Sequence, residues 1–198
     1  MSVDRERDFR TWAVARREPL RRAAFLMCGD WFLADDLVQD ATARVFAAWD
    51  KLAERGDPDA YARRIVVNLL IDERRRPWRR REINHDVLPE PRQTPSLSDG
   101  LQSDVLAALA KVPPRQRAVL VLRFFEDRSV DDAAAILGCS PGTVKSQTSK
   151  GLSNLRAALA ERGLDTSPIT AMSRCWMTSV LRKRRCSGTV GFETVVGK

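Results

Sequence analysis

In the stretch "LADDLVQDATARVFAAWDKL" apolar residues recur three and four apart, at Leu33, Leu37, Val45, Trp49 and Leu52. That is the stripe of an amphipathic helix, and no alternating strand pattern of useful length competes with it between Arg7 and Arg81. A further helix is predicted in "DAYARRIVVNLLIDERRR", after the turn "RGDPD", with Ile65, Val66, Leu69 and Leu70 apolar enough to be largely buried. It ends in a basic run broken by Pro77, "RRRPWRRR". Periodicity then disappears in "EINHDVLPEPRQTPSLSDG", where Pro, Ser and acidic residues gather, and this reads as a linker. Helical patterning returns in "SDVLAALAKV", "PRQRAVLVLRFF" and "VDDAAAIL". The predicted fold class is all-α, with two small helical domains at 7–82 and 101–163 joined by a flexible linker at 83–100. The stretch 164–198 has no helical stripe and carries the block "RKRR", so a basic, disordered tail is expected there.

The most specific local pattern is "GCSPGTVKSQTSKG", residues 138–151. Gly138 suits a left-handed turn closing one helix, Ser140 suits the cap of the next, and Pro141 suits its first position. Ser129 with Asp132 makes a shortened capping box one helix earlier. The new helix places Val144, Leu152, Leu155 and Leu159 on one stripe, with Thr148 between them. Lys145, Ser146, Ser149, Lys150 and Ser153 lie opposite, a face made to meet something polar. A capped helix, a tight glycine turn and a polar second helix together predict a helix-turn-helix; the alternative is a helical hairpin with a solvated outer face.

Composition sharpens this. The 198 residues are 43% hydrophobic, enough for folded cores, and 34 Lys and Arg against 26 Asp and Glu give a net charge of +8. An anionic partner, nucleic acid or an anionic lipid surface, is favoured. The charged start "MSVDRERDFRTW" has no apolar run of signal-peptide length, so a cytoplasmic location is expected. Cys28, Cys139, Cys175 and Cys186 show no CxxC pairing and His85 is the only histidine, which argues against a zinc site. Cys28 and Cys139 read as small buried hydrophobes. Without clustered metal ligands or a Gly-rich phosphate loop, an enzyme such as a nuclease is disfavoured and no cofactor is expected.

Two further patches invite a partner. Asp35, Asp36, Gln39 and Asp40 fall away from the stripe of Leu37 and Val45, forming an acidic patch on a basic chain: a solvated face, or a docking face for basic helices. "RRIVVNLLIDERRRPWRRR" sets arginines beside Asn68 and Trp78, with Tyr61 just before them. Basic groups interleaved with flat or amide groups suit single-stranded or opened nucleic acid; the alternative is a core helix that its arginines keep in solution.

Three stretches taken together carry a family resemblance. "FLMCGDWFLADDLVQDATARVFAAWDKL", "AYARRIVVNLLIDERRRPWRRRE" and "LAKVPPRQRAVLVLRFFEDRSVDDAAAILGCSPGTVKSQTSKGLSNLRAAL" resemble, in order, regions 2 and 4 of bacterial sigma factors. More narrowly they resemble the extracytoplasmic-function group in its actinobacterial sigma-E type. The resemblance implies a promoter-recognition subunit, with core RNA polymerase and promoter DNA as partners, an anti-sigma factor as a further candidate, and no membrane insertion. It implies that Asp36, Gln39 and Asp40 dock core polymerase, since they match the family's "DLVQ(D/E)" stretch. Asn68 then lies by the melted minus-ten strand, with Arg74 and Arg75 holding that strand, and "RGDPD" matches a loop that receives a flipped base. Lys145, Ser146, Gln147, Ser149 and Lys150 would meet the minus-thirty-five element. Gln147 and Lys150 stand where relatives carry Arg, Arg128 where an apolar residue is common, and Gly151 where Ala is usual, a change costing about 1 kcal/mol of helix propensity. The rival reading is a helix-turn-helix regulator that never engages polymerase; the acidic face of Asp36 and Asp40 separates the two.

Overall fold

The computed structural model describes residues 3–73 and 99–164. The chain opens with α1 (Val3–Cys28) and α2 (Trp31–Ala47), joined by a two-residue turn in which Gly29 takes φ +82°. A side chain would be strained there, which is why glycine occupies the corner. Asp30 follows and accepts from the amides of Phe32 and Leu33 at 2.8 and 3.2 Å, satisfying two donors that the start of α2 leaves unpaired. After the short α3 (Trp49–Arg55), Asp57 caps α4 (Pro58–Glu73) by accepting from the amides of Asp59 and Ala60. Leu20, Ala24 and Met27 of α1, Leu37, Ala41 and Val45 of α2, and Ala62, Val66 and Leu70 of α4 are buried together. Beside them Trp49 packs on Phe9 and Trp12 with ring centroids 5.3 and 5.7 Å apart.

The second group contains α5 (Asp99–Lys111), α6 (Pro114–Leu120), α7 (Val130–Leu137) and α8 (Pro141–Ala160). At its C-terminal end α6 widens into a π-helical turn (Val121–Phe125). Val105, Leu109, Leu120, Ile136, Val144, Leu155 and Leu159 form the interior, with α8 packed against α5, α6 and α7. Arg117 is buried on α6, and its guanidinium donates to the carbonyls of Ala110 and Val112, holding the connection between α5 and α6.

The two groups touch. The α4 helix packs on α7, and α1 packs on the π-helical turn. All described elements are helical, in agreement with the predicted class, and no strand occurs among the described residues. None of the described helices is long and apolar enough to cross a membrane. The linker and tail predicted from composition lie almost wholly outside the described residues, as do Arg74 and Arg75.

Candidate nucleic-acid interface and docking face

The predicted corner forms as its residues dictate. Gly138 closes α7 at φ 63°, ψ 40°, and its amide returns to the carbonyl of Ala134. Cys139 donates to that same carbonyl at 3.1 Å. Ser140 then accepts from the amide of Thr143 at 3.1 Å, with Pro141 at the first helical position. One helix earlier the box is complete: Asp132 N–H donates to Ser129 Oγ at 3.0 Å and Ser129 N–H donates to Asp132 Oδ2 at 3.2 Å. Hydrogen bonding from Ser129, led by its side chain, holds the Asp132 carboxyl below its ordinary 3.8.

On α8 the apolar stripe faces inward, with Val144, Leu155 and Leu159 buried and Leu152 half-buried. Lys145, Ser146, Ser149 and Lys150 are exposed, while Gln147 is half-buried. Two hydroxyls are used inside the helix: Ser146 donates to the carbonyl of Thr143 at 3.0 Å, and Thr148 to that of Val144 at 2.7 Å. The exposed remainder is short side chains between two lysines, at the end of a helix whose first amides are capped only in part. Such a surface lets a backbone come close to a nucleic-acid groove while ammonium groups reach phosphates or a guanine edge.

Gly151 changes meaning in three dimensions. It is buried where α8 crosses α6, and a Cβ added there would lie 3.2 Å from Cγ of Leu120 and 3.3 Å from Cβ of Gln116. The glycine lets two helices approach closely, an advantage that propensity alone does not register.

On α2, Asp36, Gln39 and Asp40 are exposed along one side. Asp35 does not join them. It is half-buried and accepts from Arg21 Nε of α1 at 2.7 Å, and that hydrogen bond pushes the arginine's pKa further up. The Arg21 guanidinium also lies 4.3 Å from the centre of the Trp31 ring, which itself stacks on Phe25 at 3.9 Å. Phe32, one turn before Asp36 on the same side, is 74% exposed. This leaves an aromatic ring in water beside the carboxylates of Asp36 and Asp40, a feature that the polar pattern of the sequence does not single out.

On α4, Asn68 is exposed. Arg63 departs from the basic face read in the sequence. It is buried, donates through Nη1 to the carbonyl of Asp59 at 2.9 Å, and through Nε to both carboxylate oxygens of Glu126 at 2.8 Å. The cysteines also differ from expectation, since Cys28 and Cys139 are both half-buried. Cys28 Sγ donates to the carbonyl of Asp30 at 3.1 Å, so it helps the turn at Gly29 as well as filling space. Arg128 finds a place: its carbonyl accepts from Arg123, and its side chain lines the cleft between the two helical groups with Arg22, Asp59 and Glu126.

No group of three or more His, Cys, Asp or Glu that could hold a metal ion occurs among the described residues. The chemistry on offer is recognition: a polar helix face with cations, an acidic face with one aromatic, and an exposed amide on a third helix.

Comparison with known proteins gives the family. Residues 14–80 match the model of Sigma-70 region 2 and residues 102–155 that of Sigma-70, region 4. The chain is 35% identical over 174 residues to an RNA polymerase sigma-E factor of Streptomyces coelicolor, covering 84% of this chain and 94% of that one. It is 33% identical over 156 residues to the ECF RNA polymerase sigma factor SigE of Mycolicibacterium smegmatis, covering 74% and 59%. Among solved structures it resembles a chain from the co-crystal of the sigma factor RpoE with the anti-sigma factor NepR from Bartonella quintana, with TM-score 0.63 and 29% identity over 77% of this chain and 97% of that one. On these matches the chain belongs to the extracytoplasmic-function sigma factors of the sigma-E type.

Proposed function

We propose that residues 7–82 and 101–163 act as two recognition domains of one initiation factor, which gives bacterial RNA polymerase its promoter specificity and opens promoter DNA. The observation that carries this reading is the coexistence, on one chain, of a capped recognition helix and an exposed acidic helix face. A DNA-binding regulator needs the first; only a factor that must also seat on a basic surface of another protein needs the second. Asp36, Gln39 and Asp40 of α2 meet basic helices of core polymerase, and Phe32 adds an apolar anchor beside them. Asn68, with Arg74 and Arg75 beyond the described residues, holds the unpaired minus-ten strand. Lys145, Ser146, Gln147, Ser149 and Lys150 engage the minus-thirty-five element.

The factor catalyses no bond change in this reading. Opening comes from differential affinity: flipped, unpaired bases are bound and paired ones are not, so the equilibrium moves toward the melted duplex. The site of action in this reading is the cytoplasm, where polymerase and DNA are found, and the antagonist is an anti-sigma factor, as in the complex formed by the Bartonella relative. Permanganate probing tests the reading. Thymines of the minus-ten region should become reactive only when core polymerase and this chain are both present. Reactivity without the chain, or none with both, overturns it.

A further inference from the structure

The hairpin of α1 and α2 carries opposite charges side by side. On α1, Arg7, Arg10, Val14, Arg17 and Arg21 recur three and four residues apart, so they form one straight ridge. The first four are exposed, Val14 at 76%, while Arg21 is half-buried against Asp35 of α2. Arg7 and Arg10 pair with Asp4 and Glu6 of their own helix at 2.9 and 3.3 Å, out in water, where such pairs exchange easily. On α2, Asp36, Gln39, Asp40 and Ala43 are exposed, and Phe46 closes the row at 45% exposure. Neither Arg17 nor Asp40 belongs to an ion pair among the described residues.

Three contacts fix how the two helices line up. Phe25 stacks on Trp31 at 3.9 Å, Arg21 donates to Asp35 at 2.7 Å, and the Phe9 ring lies 4.8 Å from that of Phe46. In that antiparallel register Arg17 stands level with Gln39 and Asp40, Val14 with Ala43, and Arg10 with Phe46. Val14, Arg17 and Arg21 line one hollow with Asp35, so the ridge opens to the side where Gln39, one turn beyond Asp35, is exposed with Asp36 and Asp40 next to it.

Such a face is complementary to itself. A two-fold axis running between α1 and α2 and parallel to them lays each α1 antiparallel over the α2 of a second copy and keeps every residue at its own level. Arg17 of one copy then meets Gln39 and Asp40 of the other, Val14 covers Ala43, and the guanidinium of Arg10 reaches the ring of Phe46. Each contact is made twice. Val14 and Phe46, two of the three large apolar side chains left exposed among the described residues, leave water in the process.

We propose that the free chain pairs with a second copy of itself through this α1–α2 face, and that the pair hides the surface which α2 offers to core polymerase. The hiding rests on the docking role given to Asp36, Gln39 and Asp40 in the preceding section; the pairing rests on the hairpin alone. Exposed charges around a small apolar centre make a weak contact, so half-association is expected at about 1–100 µM. The net charge of +8 repels copies at long range, but 0.15 M salt screens it beyond about 8 Å. Sedimentation velocity of the full chain in that salt measures the equilibrium. Arg17→Glu sets a carboxylate against Asp40 twice, and Asp40→Lys sets an ammonium against Arg17 twice. Each variant alone should therefore associate at least tenfold more weakly, with helicity by circular dichroism unchanged. Mixed in equal amounts the two should recover wild-type association, because in the mixed pair the reversed charges face each other and the native Arg17 faces the native Asp40. Core polymerase should withdraw the wild-type chain from the dimer and carry one copy. A chain that stays monomeric, variants that associate as the wild type does, a mixture no tighter than its components, or polymerase carrying two copies each overturn the proposal. A monomeric chain whose binding to duplex DNA falls in Arg17→Glu overturns it too, and gives the ridge to nucleic acid. Association that behaves as expected while polymerase captures no chain at all counts instead against the sigma-factor reading.

Discussion

Replacing Gly151 by alanine sets two effects of known size against each other. The gain is helix propensity: alanine in the interior of α8 is favoured over glycine by about 1 kcal/mol. The cost is space, because the new Cβ would sit 3.2 and 3.3 Å from Cγ and Cδ1 of Leu120 and 3.3 Å from Cβ of Gln116. Carbon atoms prefer about 3.5–4.0 Å, so three contacts fall on the repulsive side at once. Leu120 is fully buried in the interior of its group, where close packing opposes its retreat. Forcing one extra methyl group into such packing costs about 1–3 kcal/mol, so Gly151→Ala should destabilise by about 1 kcal/mol net. Thermal unfolding followed by circular dichroism should show a fall of about 2–4 °C, on the scale of a chain this long. A rise in Tm would refute the argument, since it would mean that α6 and α8 separate at negligible cost and that the close approach gives α8 no fixed seat.

Three other substitutions probe the faces themselves. Lys145→Ala should weaken binding to all DNA sequences alike and flatten the salt dependence by about one unit of slope, as loss of a phosphate contact does, whereas Lys150→Ala should cost about 1–3 kcal/mol on the preferred minus-thirty-five sequence and much less on a scrambled one. Fluorescence anisotropy titrations over a salt series distinguish them; indifference of Lys150→Ala to sequence would show the helix gripping backbone only. Asp40→Lys should reduce capture of core polymerase at least tenfold with helicity unchanged, and equal capture would remove α2 from the interface. Ser129→Ala should return the Asp132 titration toward its ordinary 3.8, read by carboxyl NMR shifts. The sign follows from the lowered pKa: the capping contribution of Asp132 is complete above its unfolded value and is lost as pH falls through the folded one. An unmoved titration would mean that Ser129 is not its cause.

Local signals in the sequence were enough for the helical class and the corner, but not for the break at Ala48, where the single stripe read from Leu33 to Leu52 divides into α2 and α3, nor for the π-helical turn that ends α6. Gly138, Ser140 and Pro141 act within a few residues of themselves, so the corner was readable from spacing alone, and the same holds for Ser129 with Asp132. The apolar stripe of α8 likewise needed only helical periodicity. What escaped reading depends on partners far away along the chain. Asp35 has the same local pattern as Asp36, and only the placement of Arg21 on the facing helix removes it from the acidic patch. Arg63 looks like any arginine of a basic run until Glu126, 63 positions on, is brought against it. Gly151 carried a hint, since a glycine inside a strong helical pattern asks for a packing reason, but the identity of Leu120 as its neighbour is a fact of tertiary structure.

The central claim, that this chain directs polymerase to promoters, is tested most directly by run-off transcription from a genomic promoter library with purified core polymerase. With the chain present, discrete start sites should appear that core polymerase alone does not produce. The promoters used should share two short elements spaced about 25 base pairs apart, and Asp40→Lys should abolish the transcripts while leaving DNA binding by α8 intact. If the chain instead binds selected DNA without polymerase and yields no transcript with it, the acidic face of α2 has no role in initiation, and the account is contradicted.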